Sequence, residues 1–136
     1  MKSLAVMVSG GSTTNLIQVL TLLMAAVHSD MKVRVLFRDE SVKRLTPASI
    51  NALEPSPAYA GDPDLARRLA KLDLADVRRL CRDIKASGDV KYYVCSSSLA
   101  IWGMKQADLI DEVDEVRGLP AFLLEDVAAA DTVLTF

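Results

Sequence analysis

The opening of the chain alternates between a strand-like run, a glycine turn, a helix and a second strand-like run, and this order constrains the fold most strongly. Leu4 to Val8 is a short apolar run that precedes Gly10-Gly11, as is typical of a buried strand followed by a turn. Ser12 to Asn15 provide N-cap candidates for a helix that we expect to end at about Ser29. Lys32 to Phe37 is the second strand-like run. Such a β-α-β unit favours parallel strands, because the helix carries the chain back before the next strand begins.

The rest of the sequence continues this alternation. We predict further elements at 39–45 (helix), 65–72 (helix), from the N-cap Asp73 to the C′ residue Gly88 (helix), 90–94 (strand), 96–104 with a short extension at 107–110 (helix), 113–116 (strand), 119–130 (helix) and 132–136 (strand). The order indicates an α/β fold: a three-layer α/β/α sandwich around a five-stranded, mostly parallel sheet, in a single domain over residues 1–136. Ligands of such sheets bind at the carboxyl ends of the strands.

Residues 46–63 have a different texture. Four of the five prolines lie there, namely Pro47, Pro55, Pro57 and Pro63. Proline removes a backbone donor and disfavours both helix interiors and central strands, so we interpret this segment as an excursion from the core. Long loops of this kind often act as lids, binding loops or subunit arms.

The composition excludes several classes of function. With a net charge of −2, the chain has no excess of basic residues that would bind a polyanion, so we expect neither nucleic acid nor an anionic membrane as a partner. One histidine and two cysteines cannot supply the four ligands of a Cys/His zinc site, and they do not suggest a disulfide scaffold. We therefore expect no metal and no cofactor.

The chain shows no signal peptide or membrane span, and we expect it to be cytoplasmic with reduced thiols.

Cys95 is the strongest candidate for chemistry. It follows the predicted third strand and precedes a predicted helix that begins with Ser96, Ser97 and Ser98. A thiol at this junction meets free backbone N–H groups and the positive end of the helix dipole, and both favour the nucleophilic thiolate. The alternative is a small buried core residue, since free cysteines are among the most buried residues. The spacing fits neither a phosphatase loop, because Ile101 stands where its arginine is needed, nor a Cys-x-x-Cys redox site, because Ser98 takes the second position.

The second cysteine and the histidine do not support a paired mechanism. Cys81 lies on the apolar side of its predicted helix, which favours a structural role. His28 falls at the end of the first helix, whereas Cys95 falls at the carboxyl end of a strand. About 14 helical residues at about 1.5 Å each separate these two rims by roughly 20 Å. A Cys–His dyad within one subunit is therefore disfavoured.

Other residues near the expected rim give weaker signals. The segment Gly10, Gly11, Ser12 and Thr13 could cradle an anion before the first helix and contribute to the rim near Cys95, or it could be a simple strand-to-helix turn. Arg38 and Asp39 follow the second strand and could reach the same rim, although a solvated role is favoured. Trp102 and Met104 are more typical of packing than of cofactor contacts.

The first helix suggests a quaternary structure. Its apolar residues cover nearly all of its faces: Leu16, Ile17, Val19, Leu20, Leu22, Leu23, Met24 and Val27. A helix that is apolar all round is buried on more than one side. In a domain of this size, we expect a second subunit to provide part of that cover, and so predict a homo-oligomer.

The chain resembles the DsrE/DsrF-like family of small sulfur-relay proteins, nearest to members labelled peroxiredoxin-family or sulfurtransferase-like. The resemblance rests on the opening strand with its Gly-Gly turn and on a Cys-x-x-Ser-x-x-x-x-Gly pattern, met by Cys95, Ser98 and Gly103. The tail also resembles the family, from Asp108 through Val113, Gly118 and Leu123 to Thr132–Phe136. The family implies a flavodoxin-like subunit that forms trimers or hexamers, and a cysteine that carries sulfane sulfur as a persulfide. In this sequence that cysteine is Cys95. Neither the excursion nor the Arg38-Asp39-Glu40 segment matches the family pattern.

Three functions are then open. The first is a sulfur carrier or sulfurtransferase that accepts and passes on sulfur at Cys95, with small thiols or other proteins as donor and acceptor. The second is a non-catalytic oligomeric module that binds a small anionic ligand at the rim, through Gly10 to Thr13 and Ser96 to Ser98. The third, peroxide reduction by Cys95, is disfavoured because no resolving cysteine is expected nearby.

Overall fold

Five strands form one sheet in which every neighbouring pair is parallel. The computed structural model describes residues 1–136. The strands are β1 (Ser3–Val8), β2 (Lys32–Phe37), β3 (Val90–Cys95), β4 (Glu115–Arg117) and β5 (Thr132–Thr135). The helices are α1 (Thr13–His28), α2 (Glu40–Arg44), α3 (Leu65–Lys71), α4 (Val77–Ser87), α5 (Ser96–Ile101) and α6 (Leu119–Ala121), and α6 continues as a π-helical turn (Phe122–Val127). The predicted α/β class and five-stranded sheet are confirmed.

The order β4-β3-β2-β1-β5 determines which face each helix covers. From β1 to β4 the chain steps to the next strand in one direction, and it then returns across the sheet to place β5 on the far side of β1. Parallel crossovers are right-handed, so reversing the direction moves the connecting helix to the opposite face. α1 and α4 therefore pack on one face, called here the α1 face. The last connection packs on the other, called here the α6 face.

The two faces are unequally filled. The α1 face carries a core of 27 buried residues, whereas the core on the α6 face has five: Ala5, Leu36, Tyr93, Cys95 and Phe122. Side chains alternate along a strand, so Val94 enters the large core and the next residue, Cys95, enters the small one. A single segment, α6 with its π-helical turn (residues 119–127), closes the small core. We call residues 119–127 the cover segment.

Local chemistry explains where α1 and α4 begin. Ser12 caps α1, because its Oγ accepts a hydrogen bond from the Asn15 amide at 3.1 Å. The predicted N-cap of α4 was wrong: α4 begins at Val77, and Asp76 caps it by accepting from the Arg79 amide at 3.0 Å. Asp73 instead has φ of 60° in the turn that follows α3. N-cap residues typically have β-region backbone angles, which the positive φ of Asp73 does not match.

Three further predictions were wrong in detail. Gly88 follows α4 with an extended backbone rather than a left-handed one, and it is needed because a Cβ there would lie 3.0 Å from Val27 Cβ. β4 spans Glu115–Arg117 instead of 113–116. The predicted helix at 119–130 is α-helical only at Leu119–Ala121 before it becomes π-helical.

None of the helices is both long and apolar enough to cross a lipid bilayer.

The chain itself supplies most of the second cover that α1 requires. α4 packs along α1, so that Leu20 and Leu23 are buried within the subunit. Near β5, the α1 residues Leu22 and Ala25 line a shallow depression that no other element of the subunit fills. The large exposed apolar side chains in the second half of the chain lie instead mainly around the cover segment and β5: Leu119, Leu123, Leu124, Val133 and Phe136.

Candidate functional site

Cys95 ends β3 and occupies the N-cap position of α5, as the sequence pattern predicted. Its backbone is extended, with φ of −64° and ψ of 124°, before the helix begins at Ser96. Its partner in β4 is Arg117, and its side chain points to the α6 face. The thiol therefore lies at the carboxyl edge of the sheet, beneath the cover segment.

The thiol is closed off from solvent. Only 1% of the Cys95 surface is exposed, and the side chain packs in one cluster with Leu36, Tyr93 and Phe122. Gly118, which directly precedes the cover segment, lies near the start of α5: a Cβ placed on it would be 4.0 Å from Ser96 Oγ. A reagent can thus reach the sulfur only when the cover segment or the start of α5 moves.

Hydrogen bonds at the start of α5 favour the ionised thiol. Burial raises the pKa of Cys95, but the Ser97 hydroxyl, the Ser98 hydroxyl and the amides of both serines together outweigh it, and the pKa is lowered. The Cys95 Sγ lies 3.2 Å from Ser97 Oγ. Thiolate is the nucleophilic form of cysteine, so this environment suits group transfer.

The three serines have different surroundings. Ser96 and Ser97 are exposed, whereas Ser98 is buried. The Ser98 Oγ accepts a hydrogen bond from the Asp39 amide at 2.8 Å and so joins α5 to the turn between β2 and α2. Ser97 is thus the serine that directly contacts the sulfur at the open side of the helix start, and Ser98 also holds the fold together.

Cys81 has the opposite chemistry. It is buried in α4 on the α1 face, so the sheet separates it from Cys95. Burial raises the pKa of its thiol to about 12. Both cysteines are free, and no disulfide joins them. A resolving role for Cys81 is incompatible with this placement.

The glycine loop after β1 lies elsewhere on the same edge of the sheet. It lines a cleft of about 610 Å³ with α2, the excursion and the end of α5; the lining residues are Gly10, Gly11, Ser12, Asn15, Glu40, Lys43, Arg44, Glu54, Pro55, Ser56, Pro57 and Trp102. Neither Cys95 nor the three serines that follow it line this cleft. The structure therefore does not bring the glycine loop into one cleft with Cys95, because β3 turns Cys95 to the other face of the sheet.

Thr13 is occupied by the excursion rather than free for a ligand. Its amide donates to Glu54 O at 2.8 Å, and its hydroxyl oxygen accepts from the Glu54 amide at 2.7 Å. Arg44 completes this attachment. It is 2% exposed, donates to the carbonyls of Gly11 and Ala52, and pairs with the Glu54 carboxylate at 2.9 Å. Sequence reasoning missed Arg44; the available signal was a cation placed between the apolar residues Val42 and Leu45.

The remaining candidates are placed as follows. His28 ends α1 at the opposite edge of the sheet from Cys95, which excludes a dyad within the subunit. Arg38 is half-buried, and its amide continues the sheet by donating to Val8 O at 2.9 Å.

Met104 packs against the α1-face core. Trp102 donates from its indole Nε1 to Asp39 O at 2.9 Å, with Lys43 Nζ 5.2 Å from the centre of its ring.

Comparison with known proteins agrees with the α/β fold and with the family resemblance of the sequence. A family model described as the DsrE/DsrF-like family matches residues 2–136. Among solved structures, the chain is similar to the protein of unknown function MTH1491 from Methanobacterium thermoautotrophicum, with a TM-score of 0.63, 16% sequence identity, and coverage of 98% of this chain and 99% of that one. No match was found among curated protein sequences. Since the family model spans nearly the whole chain, the protein belongs to the DsrE/DsrF-like family, which is generally linked to sulfur relay.

Proposed function

We propose that the protein is a sulfur carrier that holds sulfane sulfur as a persulfide on Cys95. One observation carries this proposal. Of the two thiols, only Cys95 lies where hydroxyl and amide donors lower its pKa, whereas burial raises that of Cys81 to about 12. Membership of a family linked to sulfur relay supports the same assignment.

The transfer needs no other cofactor. The Cys95 thiolate attacks the outer sulfur of a donor persulfide, R–S–SH, and forms a new S–S bond. The S–S bond of the donor breaks, and the donor leaves as the thiolate R–S⁻ with the bonding electrons. The product on the protein is Cys95–S–SH. An acceptor thiolate then attacks the outer sulfur in the same way, and the Cys95 thiolate is the leaving group. The Ser97 hydroxyl and the α5 amides stabilise the anionic sulfur before the first step and after the second.

The cover segment controls access to this chemistry. Because only 1% of Cys95 is exposed, a donor reaches the sulfur after residues 119–127 move away from the α6 face. Phe122 is the one fully buried side chain of the segment, and the turn that carries it is π-helical. Single π-helical turns are frequent at functional sites. The covered state also protects the persulfide from water and from unrelated thiols.

Persulfide uptake on the intact protein tests the proposal. The reduced protein is incubated with a small-molecule persulfide, desalted, and measured by intact-mass spectrometry. We expect the wild type and Cys81→Ser to gain one sulfur atom and Cys95→Ser to gain none. The Cys81→Ser variant is the matched control, because it removes the other thiol and leaves the α6 face unchanged. Equal labelling of Cys95→Ser, or no labelling of the wild type, contradicts the assignment.

We also propose that the subunits associate through the exposed apolar side chains around the cover segment and β5. Leu123 and Leu124 are 52% and 72% exposed, and Val133 and Phe136 are about two-fifths exposed. A trimer or hexamer that buries these side chains agrees with a family that is often oligomeric. Sedimentation equilibrium at micromolar concentration measures the mass. A Leu124→Asp variant shifts the protein towards the 14.8 kDa subunit, and a monomeric wild type contradicts the proposal.

A binding function without group transfer is the second candidate, and the cleft next to Gly10, Gly11 and Ser12 favours it. A cleft of about 610 Å³ falls within the usual range for small-molecule sites. Its charged lining residues are Glu40, Lys43 and the pair of Arg44 with Glu54, so Lys43 is the cation of the wall that Glu54 does not pair. Its ligand would be a small anion. We expect inorganic phosphate to raise the melting temperature if this function is correct, and Lys43→Gln to abolish the shift. A melting temperature that does not respond, together with sulfur uptake by Cys95, decides in favour of the carrier.

A further inference from the structure

An arginine stands beside Cys95 on each of its two sides in the sheet. In the register of β3 and β4, Cys95 pairs with Arg117. In the register of β3 and β2, Val94 pairs with Phe37, so the next residue, Arg38, takes the position beside Cys95. The Arg38 amide still donates to a carbonyl of β1 at 2.9 Å, which keeps this position in line with the sheet. Neighbouring strands lie about 4.8 Å apart, so the backbones of both arginines are close to that of Cys95.

Both arginines belong to the same face of the sheet as the thiol. The side chains of β2 alternate between the two cores, and in this alternation the position of Arg38 falls on the α6 face. The Arg117 guanidinium lies 4.2 Å from the centre of the Tyr93 ring, and Tyr93 shares the small core with Cys95. Tyr93 precedes Cys95 by two residues, which is about 6.6 Å along a strand. The Arg117 guanidinium therefore lies within the length of a small ligand from the sulfur.

Arg38 is the one arginine of the chain that pairs with no carboxylate; every other arginine has an acidic partner. It is nevertheless half-buried, whereas the adjacent acid Asp39 is exposed. A guanidinium has five N–H donors in a planar fork. Those of Arg38 are available to an anion that enters from the α6 face.

The donors of Arg117 are divided between two kinds of partner. Its Nε and Nη2 both donate to the Glu115 carboxylate of β4 at 2.7 Å. Its Nη1 donates to two carboxylates of the cover segment, that of Asp126 at 2.7 Å and that of Glu125 at 3.1 Å. Because Nη1 carries two hydrogens, the cover segment occupies both. When the segment moves away, these donors lose their partners at the moment when the Cys95 sulfur becomes accessible.

We propose that Arg38 and Arg117 select small thiols and persulfides that carry an anionic group, such as a carboxylate, close to the reactive sulfur. The anionic group replaces the carboxylates of Glu125 and Asp126 on Arg117 when the cover segment opens. Guanidinium groups suit this role because they bind carboxylates by paired, charge-assisted hydrogen bonds. The inference rests on the proposed use of the Cys95 thiol and on opening of the cover segment. Its test measures the charge preference of Cys95 and does not require sulfur uptake.

A pair of thiol reagents that differ in charge tests the proposal. The reagents are methanethiosulfonates, CH₃SO₂–S–R, in which R is either the anionic sulfonatoethyl group or the neutral hydroxyethyl group. The Cys95 thiolate attacks the sulfur that bears R, the S–S bond of the reagent breaks, and methanesulfinate leaves with the bonding electrons. The product is the mixed disulfide Cys95–S–S–R. The full-length Cys81→Ser protein is the parent for all measurements, because Cys95 is then its single thiol.

The quantity compared is the anionic-to-neutral ratio, which is the rate constant for the anionic reagent divided by that for the neutral one, both followed by intact-mass spectrometry. Opening of the cover segment precedes both reactions and cancels in this ratio. We expect the ratio to fall about three- to fivefold in Arg38→Gln and in Arg117→Gln, the size of one partly exposed ion pair, and to fall further in the double variant. A parental ratio in either single variant overturns the proposal.

Two further variants separate anion binding from net charge and from opening. Lys91→Gln removes a half-exposed cation of β3 that lies four residues, or about 13 Å, before Cys95, and the ratio stays at the parental value. A fall as large as in the arginine variants means that net charge explains the effect, and it overturns the proposal. Glu125→Gln with Asp126→Asn weakens the hold on the cover segment and raises both rate constants without lowering the ratio. A lowered ratio in this variant also overturns it.

The parent protein gives a comparison that does not depend on an arginine variant folding. In urea the arginines no longer flank Cys95, so we expect the ratio of the native protein to be at least about threefold higher than that of the unfolded one. Equal ratios overturn the proposal, and so does a native Cys95 that reacts with neither reagent. Sulfur uptake without charge preference leaves the carrier function standing. Charge preference without sulfur uptake leaves only the selection of anionic thiols.

Discussion

Replacing Phe122 by alanine should uncover Cys95 without unfolding the rest of the protein. Phe122 is 0% exposed and packs edge-to-face on Tyr93, with ring centres 6.2 Å apart. Burying a phenylalanine contributes about 1.5–3 kcal/mol, and an aromatic pair adds about 0.5–1.5 kcal/mol. Loss of the ring should therefore cost about 2–4.5 kcal/mol, which overlaps the about 3–5 kcal/mol observed for Phe→Ala substitutions in other cores.

The free energy lost on removing the Phe122 ring also lowers the free energy needed to undock the cover segment and expose the Cys95 thiol. If Cys95 becomes accessible when the cover segment undocks, the docking free energy falls by about 3 kcal/mol in Phe122→Ala. The open population then rises roughly a hundredfold. Alkylation of Cys95 by iodoacetamide should accelerate by the same factor, because a slow reagent samples the open population. Mass spectrometry of peptides follows the two cysteines separately.

Cys81 and Leu23 provide the controls. Both lie in the core of the α1 face, and Leu23 is 0% exposed. Leu23→Ala lowers global stability by about 2–5 kcal/mol but leaves the docking of the cover segment unchanged. It should accelerate alkylation of Cys81, which requires the large core to open, and leave Cys95 at its wild-type rate. If Leu23→Ala accelerates both cysteines equally, Cys95 is exposed only by global unfolding, and the reasoning about a separate cover segment is refuted.

Three other predictions concern stability. Arg44→Met should lower the free energy of unfolding, measured by urea denaturation, by about 2–4 kcal/mol, because it leaves several carbonyl acceptors without their charged donor. The same variant should be cleaved faster by proteases within residues 46–63. An unchanged rate of proteolysis would contradict the role of Arg44 in holding the excursion. The pKa of Cys81 is raised to about 12 in the folded protein and is about 8.5 in an unfolded chain, so its contribution to stability is complete below about pH 8.5 and is lost as the pH rises towards 12. Cys81→Ala should therefore show a shallower alkaline loss of stability than the wild type, and parallel curves would refute this. Gly88→Ala should cost about 1–3 kcal/mol because its Cβ would meet Val27 Cβ at 3.0 Å, whereas Ser87→Ala at an exposed neighbouring site should change stability by less than about 1 kcal/mol.

Much of the fold could be predicted because the pattern that encodes it is local. The apolar run of β1, the Ser12 cap and the helical stripe of α1 each specify the backbone of a few neighbouring residues. The predictions of backbone conformation were wrong where residues distant in sequence pack together. Gly88 has an extended backbone and lies against Val27 of α1, and the helix predicted at 119–130 changes to a π-helical turn.

The candidate site also combines features that were predictable from the sequence with features that were not. The placement of Cys95 at a strand-to-helix junction was predictable, since an apolar run followed by three serines marks it. The serine contacts that lower its pKa depend on the same short stretch of chain. The apolar neighbours of Arg44 signalled its burial, but its hydrogen-bond acceptors were not predictable, because they lie both in the glycine loop and in the excursion.

By itself, the sequence determined that the chain alternates strands and helices in a parallel order, and that a single cysteine stands at the start of a helix. These features follow from hydrophobic periodicity and capping, which act over a few residues. Only the tertiary structure decided that Cys95 faces the thinly covered side of the sheet, that Phe122 closes over it, and that the glycine loop lines a different cleft. Those facts depend on the direction in which the last crossover returns across the sheet, and this direction is a property of the whole chain.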